Sequence, residues 1–327
     1  LFYKSYLPSI VNQAIEVGLF QQLQNNIFSV SELAKKMQLH EGLLGTLLKV
    51  LLYADFLEIK NNIYYLKEAT SLYFLKASLS NQIHGLQRFI FDSPFKNLKE
   101  ILKNGPPEYI PNRWSTKESM QAIEQDAKAG SIDAIKDFVI SHSTFYDYES
   151  MCDYGGNTGY YSKKIIEYNS QLSVDIYDRK EVCEIAETII LNTKNEKRIN
   201  FIPYDINIVN DFNKTYDIFL ASHILYHYMG LKGVKDSLDS FLQKVYSFIN
   251  PGGLFISNHC GIILSKEDTL TNEIMELNVK ISGFPTHIIP EELLETLLIK
   301  NGFKIINKIP ANEGVHYGTS LISAMKI

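Results

Sequence analysis

From about residue 148 onward, short apolar runs alternate with longer segments whose apolar residues recur every three or four positions. The short runs read as strands and the periodic segments as helices. Strands are predicted over 150–154, 172–178, 200–204, 216–222, 253–258, 303–309 and 319–326. Helices are predicted over about 159–168, 180–192, 232–249, 267–281 and 290–301. Strands separated by helices pair in parallel, with helices covering both faces of the sheet. Asn250-Pro-Gly-Gly253 reads as a turn back into the sheet, and Asn301-Gly302 as a helix stop with a C′ glycine. No helix separates the last two strands, so they are expected to pair antiparallel at one edge.

The first half has a different rhythm. Leu7–Leu23 is apolar at helical spacing, and Ser29 stands three residues before Glu32, the spacing of a capping box. A Leu-rich helix is predicted over His40–Tyr53, then a hairpin from Phe56 to Leu66 turning at Asn61-Asn62. Two helices and a hairpin suggest a small winged helix. Residues 76–150 read as helical, with a loop at Gly105-Pro106-Pro107 and Pro111 and a helix over Ser119–Phe138 that is expected to bridge two domains. The boundary is expected between 115 and 116.

Composition narrows the partners. The chain has 327 residues, 45% hydrophobic and 21% charged, with a formal net charge of −5. That is the profile of a globular protein of about two domains. An acidic balance gives neither nucleic acid nor an anionic membrane an evident hold. The predicted helix His40–Tyr53 carries one basic residue, Lys49, whereas a helix lying on phosphates brings several. No apolar run reaches the ~20 residues of a membrane span. Three scattered cysteines, Cys152, Cys183 and Cys260, form neither a disulfide framework nor a zinc motif, and the cytoplasm is the expected compartment.

The candidate chemistry lies at the ends of the predicted strands. In a doubly wound sheet, ligands sit beyond the carboxyl ends of the strands at the switch point. The first strand ends at Asp153 and runs through Gly155, Gly156 and Gly159 into a helix. The pattern is Asp153-x-Gly155-x-Asn157-x-Gly159, without the G-x-G-x-x-G spacing of a dinucleotide loop. The second strand ends in Asp178, where an acid can bridge ribose hydroxyls, and the third in Tyr204-Asp205, where an acid can accept from an adenine amino group. Read singly, each Asp could cap the next element. Three acids at successive strand ends behind a glycine loop are more specific.

These features resemble class I S-adenosylmethionine (SAM) methyltransferases. The whole chain resembles their O-methyltransferase family, typified by plant caffeate-type and bacterial antibiotic methyltransferases. Glu32-Leu-Ala with the following Leu-rich helix, the loop Asp153–Gly159, Asp178, Asp205, Pro251-Gly-Gly and Gly302-Phe303 carry the likeness. It implies a Rossmann-like α/β fold with a seven-stranded SAM-binding sheet over 116–327, and an N-terminal winged-helix domain that forms a homodimer. It implies a small-molecule methyl acceptor with an aromatic or conjugated hydroxyl, of the kind the family favours. By the same resemblance Asp153, Gly155, Gly156, Asp178, Arg179, Tyr204, Asp205, Ile206 and Ser222 would hold SAM. Trp114, Met120, His142, His223 and His287 would wall the acceptor, with Phe145 beside them.

One motif departs from the family. Its strand-four ending is usually Leu-His-Asp-Trp, with that His as general base; here Leu225-Tyr226-His227-Tyr228 stands. Ungapped counting puts Tyr226 at the base position and His227 one residue later. Histidine is the natural base near neutral pH, so His227 is the candidate catalytic residue. The helper acid common after strand five is replaced by Ser257-Asn258-His259. Two alternatives stay open. His223, His227, His259 and His287 could converge on Zn or Fe for metal-assisted C-methylation of an α-keto acid, His227 and His287 being the matching positions. The other is a SAM-responsive DNA-binding regulator.

Overall fold

Central to the computed structural model is a seven-stranded sheet in the order β5-β4-β3-β6-β7-β9-β8. The structure describes residues 2–25, 28–78, 80–91, 94–106, 115–190, 196–208, 211–212, 214–262, 266–311 and 318–327. The strands are β3 (Ser150–Tyr154), β4 (Ser173–Asp178), β5 (Ile199–Pro203), β6 (Tyr216–Ser222), β7 (Ile249–Cys260), β8 (Phe303–Ile309) and β9 (Thr319–Lys326). From β3 the chain adds β4 and β5 on one side, then returns to lay β6 against the other side of β3. The strands from β5 to β7 are parallel; β9 pairs antiparallel with both β7 and β8. The switch point therefore lies at the carboxyl ends of β3 and β6, which is where such a sheet opens a crevice.

Side chains alternate across each strand, so each residue set serves one face. Met151, Ile176, Ile218 and Ile256 build the core on one side; Cys152, Tyr177, Phe219 and Phe255 build it on the other. Both faces are covered, which is why these strands read as nearly continuous apolar runs. On the second face a tyrosine network threads the core. The Tyr154 and Tyr228 hydroxyls are hydrogen-bonded, and Tyr177 meets Tyr216, which donates to Asp175 at 2.8 Å.

Two compact units divide the chain, Leu1–Ser93 and Pro94–Ile327. Pro94–Asn97 packs against the helix Lys266–Ile281 of the second unit, so this division falls upstream of the 115/116 boundary expected from sequence. The helix expected to bridge two domains lies wholly within the second unit. It consists of Lys117–Asp126, a π-helical turn Ala127–Ser131, and Ile132–Ile140.

In the first unit the capping box is present. The Ser29 backbone donates to Glu32 Oε2 at 2.8 Å, and the Glu32 backbone donates to Ser29 Oγ at 3.2 Å. The Leu-rich helix covers Glu41–Tyr53, capped by His40 Nδ1. Strands β1 (Leu57–Lys60) and β2 (Ile63–Leu66) pair through Asn61 and Asn62, both left-handed with φ of 52° and 61°. Such a two-residue turn matches the twist of a hairpin. The predicted helix Leu7–Leu23 is instead two helices, Leu7–Glu16 and Leu19–Asn25, because Gly18 turns left-handed with φ 77°.

Candidate active site

The loop after β3 is built around two buried carboxyl groups. Asp153 is wholly buried, and Ser162, on the helix that follows, donates to its Oδ2 at 2.5 Å. Asp153 Oδ1 is buried without a hydrogen-bond partner. Burial pushes its carboxyl up to about 7, further raised by the charge of Asp178 and opposed by Ser162. Gly156 sits directly over it: a Cβ there would lie 2.6 Å from the Asp153 carboxyl and 2.8 Å from Ile176. Only glycine lets the backbone pass so close.

Asp178 ends β4 and pins the loop from the side. The Asn157 backbone donates to its Oδ2 at 2.9 Å, and the Arg179 backbone donates to Oδ1 at 2.8 Å. Burial raises the Asp178 carboxyl from its ordinary value, and these two donors oppose the rise. A carboxylate oxygen has two acceptor directions, so each retains capacity for a ligand hydroxyl. Asn157 itself is left-handed, φ 53°, and its Oδ1 is buried without a partner.

Beside Asp178 opens a cavity of about 390 Å³, lined among others by Arg179, Tyr204, Asp205 and Asn207. Asp205 Oδ1 accepts from both the backbone and the side chain of Asn207 at 3.0 Å, which fixes the carboxyl at the cavity wall. Ile206 is buried beneath it, its carbonyl accepting from the Tyr228 hydroxyl at 3.1 Å. Ser222, at the end of β6, accepts from Asn258 Nδ2 at 3.0 Å. Arg179, Tyr204 and Asp205 thus meet at one cavity, with the buried Asp178 next to Arg179 in the chain.

The acceptor-side expectations divide. His227 lies in a short 3-10 turn, Leu225–Tyr228, just beyond β6. Its Nδ1 lies 3.0 Å from the Ile224 carbonyl, which can only accept, so Nδ1 carries the proton. Burial pulls its pKa down to about 4. His223 is left-handed, φ 51°, with Nδ1 3.9 Å from Cys260 Sγ. His287 is buried, and its Nδ1 lies 2.6 Å from Glu276 Oε2. Phe284 joins these elements, its ring edge-on to His227 at 5.3 Å and to Tyr226 at 5.4 Å.

Other acceptor-side expectations meet a different geometry or lie outside the described residues. Met120, on the helix Lys117–Asp126, is fully buried in a small core with Val182 and Ala186 of the helix Lys180–Ile190. His142 packs edge-on to Phe138 in the turn that feeds the amino end of β3, and Phe145 beside it is core. That turn lies at the opposite end of the strands from the switch point, because the helix ending at Ile140 has already descended to the base of the sheet. Trp114 lies outside the described residues. The four histidines do not assemble a metal site: His227 serves Ile224, His259 pairs with Ser257 at 2.9 Å, and His287 serves Glu276. Among the described residues no group of three or more His, Cys, Asp or Glu side chains is arranged to hold a metal ion.

Glu276 was missed from sequence. It lies on a helix whose apolar rhythm is legible, but nothing in that rhythm says that one acid meets a loop residue beyond the helix end. Ser162 was missed for a similar reason: a Ser one turn into a helix reads as surface until the strand before it is known to end in a buried acid.

The profile of the O-methyltransferase domain family matches residues 111–304. The chain belongs to the O-methyltransferase family. It is a methyltransferase whose donor is SAM and whose acceptor is a small molecule, as membership implies. Solved structures share the fold across nearly the whole chain. An O-methyltransferase family protein from Burkholderia thailandensis is 15% identical with a TM-score of 0.75, covering 99% of this chain and 95% of that one. The pyocyanin biosynthetic protein PhzM is 15% identical with a TM-score of 0.78, over 99% and 96%. Human N-acetylserotonin methyltransferase, solved in complex with SAM, is 18% identical with a TM-score of 0.71, over 98% and 94%. No curated protein sequence matches. Among the described residues no helix of this O-methyltransferase is long and apolar enough to cross a membrane.

Proposed function

We propose that this methyltransferase binds SAM across the tips of β3, β4 and β5 and moves its methyl group to a hydroxyl of a small aromatic or conjugated molecule. The observation that carries the reading is Asp178: a buried carboxyl group that accepts from the glycine loop, at the end of β4 and next to Arg179, which lines a cavity with Tyr204 and Asp205. The residues suit such a ligand. Asp178 would take the ribose hydroxyls, Asp205 the adenine amino group, and Tyr204, Arg179 and Ile206 the adenosine faces. The loop Gly155–Asn157, with the orphaned Asn157 Oδ1, would take the amino-acid tail, and Ser222 would border it.

Bound SAM supplies a methyl group already activated on a positively charged sulfur, so the chain's work is to align the acceptor in line and take up its proton. His227 stands on the acceptor side as a neutral ring with its Nδ1 proton engaged, and His223 borders the same space. We further read the Leu1–Ser93 unit as a winged helix that makes a homodimer, and the enzyme as cytoplasmic. Exposed apolar side chains on its helices, Leu43 and Tyr53 foremost, and three free cysteines support those readings. Calorimetric titration with S-adenosylhomocysteine is the test. Saturable one-to-one uptake is expected; no uptake by the folded chain sinks the proposal.

A further inference from the structure

Glu276, on the helix Lys266–Ile281, is surrounded by donors. The His287 backbone donates to Oε2 at 3.1 Å, Lys280 Nζ lies 3.3 Å from Oε1, and the Thr286 hydroxyl also contributes. Burial pushes the Glu276 carboxyl up, but these donors outweigh it and hold the group below its ordinary value. An ionised carboxylate only accepts hydrogen bonds. The 2.6 Å contact therefore puts a proton on His287 Nδ1 and leaves the lone pair on Nε2. That Nε2 is buried and has no hydrogen-bond partner, in a residue only 6% exposed.

An unpaired acceptor in such a place carries an uncompensated desolvation cost unless a ligand completes it. The surroundings say which ligand. Cys260, the last residue of β7, bridges to Ile288, and its carbonyl accepts from the Ile289 backbone at 2.9 Å. Phe284, three residues before His287, packs on Tyr226 and His227. The loop 283–289 is thus held between the tip of β7 and the turn after β6, at the carboxyl ends of the strands. The charged and titratable groups around the pair are Glu276, Lys280, Cys260 and, beyond the thiol, His223.

We propose that His287, oriented by Glu276, is the group that receives the acceptor's proton at Nε2. The inference deepens the methyl-transfer reading and rests on it. His227 gives its Nδ1 proton to a neutral carbonyl, which does little for a charged ring; His259 pairs with a Ser hydroxyl. His287 has a carboxylate behind it, Glu276, to stabilise the imidazolium that forms. In the step, an oxygen lone pair of the acceptor forms the new bond to the methyl carbon, and the carbon–sulfur pair remains on sulfur. The O–H pair stays on oxygen as the proton passes to Nε2. The positive charge that leaves sulfur ends beside Glu276, and Glu276 is a positioning residue.

The test uses the full chain saturated with S-adenosylhomocysteine and titrated with para-nitrophenol, whose visible absorption reports its ionised form. The wild-type complex is expected to bind the probe ionised. His287→Gln should show at least about tenfold less ionised probe, one pKa unit's worth, at unchanged S-adenosylhomocysteine affinity. Glu276→Gln should also lose the band, because an amide can donate to Nδ1 and reverse the tautomer; this variant serves if His287→Gln does not fold. His142→Gln, at the other end of the sheet, should keep it. No ionised band in the wild-type complex, a band retained in His287→Gln, or loss confined to His227→Gln overturns the proposal. Absence of S-adenosylhomocysteine uptake instead removes the methyl-transfer reading itself.

Discussion

Asp178 and Gly156 constrain the same loop from different directions, and each gives a separate prediction. Asp178→Ala removes the acceptor that the Asn157 backbone uses and the carboxylate proposed for ribose. Affinity for S-adenosylhomocysteine should fall tenfold or more, ~1.4 kcal/mol by calorimetry; unchanged affinity would overturn the ribose assignment. Gly156→Ala drives a methyl into the Asp153 carboxyl, so cofactor affinity and melting temperature should both drop. A third prediction concerns acid. Burial holds His227 near 4 and His259 near 3, against an ordinary 6.5. The unfolded chain takes up protons that these folded rings refuse, so stability is fully present above about pH 6.5 and falls as pH drops towards the folded values. For His227 the full penalty is on the order of 3 kcal/mol. His259→Asn should lose less stability than wild type between about pH 7.5 and pH 5 in urea titrations; equal losses would refute the burial argument. The glycines and acids of this loop were legible because a strand end, a turn and a helix start each demand particular residue types. The His287–Glu276 pair was not, since a hydrogen bond between a helix and a later loop leaves no period in the sequence.

The sheet elements were readable almost to the residue, and the departures have local causes. The expected helix 232–249 begins only at Leu238, after Gly230 and Gly233 turn left-handed, where Ser237 Oγ accepts from the Ser240 backbone at 3.2 Å. The expected turn Asn250–Gly253 lies inside β7 as a register shift: Tyr216 faces Ile249, while Ile218 faces Leu254. Asn250 Nδ2 donates to Asp217 Oδ1 at 2.7 Å and anchors that bulge. The π-helical turn Ala127–Ser131 had no signature in the apolar spacing. Such turns cluster at functional sites, and here it brings the Ser131 hydroxyl 2.8 Å from that of Tyr161, on the helix following the glycine loop. Lys128 from the same turn lies over the Tyr160 ring at 4.9 Å. Tyr161→Phe should cost about 1 kcal/mol in urea unfolding; no loss would mean that the packing alone fixes the helix.

For the molecule as a whole, the chain divides into the compact units Leu1–Ser93 and Pro94–Ile327, a division that the apolar spacing, which changes near residue 148, does not locate. Leu43 and Tyr53 are 72% and 87% exposed on the helix Glu41–Tyr53. The homodimer reading takes these two side chains as part of its association surface. Light scattering should report a dimer, and the double change Leu43→Asp with Tyr53→Asp should yield a monomer; a wild-type monomer would sink the homodimer reading.

The position of β9 bears on how this protein is made. Although β8 leaves the ribosome before β9, β7 and β8 do not pair with each other: β9 is inserted antiparallel between them. During synthesis β7 therefore keeps one edge unpaired, and a nascent chain paused between Ile309 and Thr319 presents it to any passing strand. Such an edge is a template for wrong pairing, and insertion of β9 between β7 and β8 covers it.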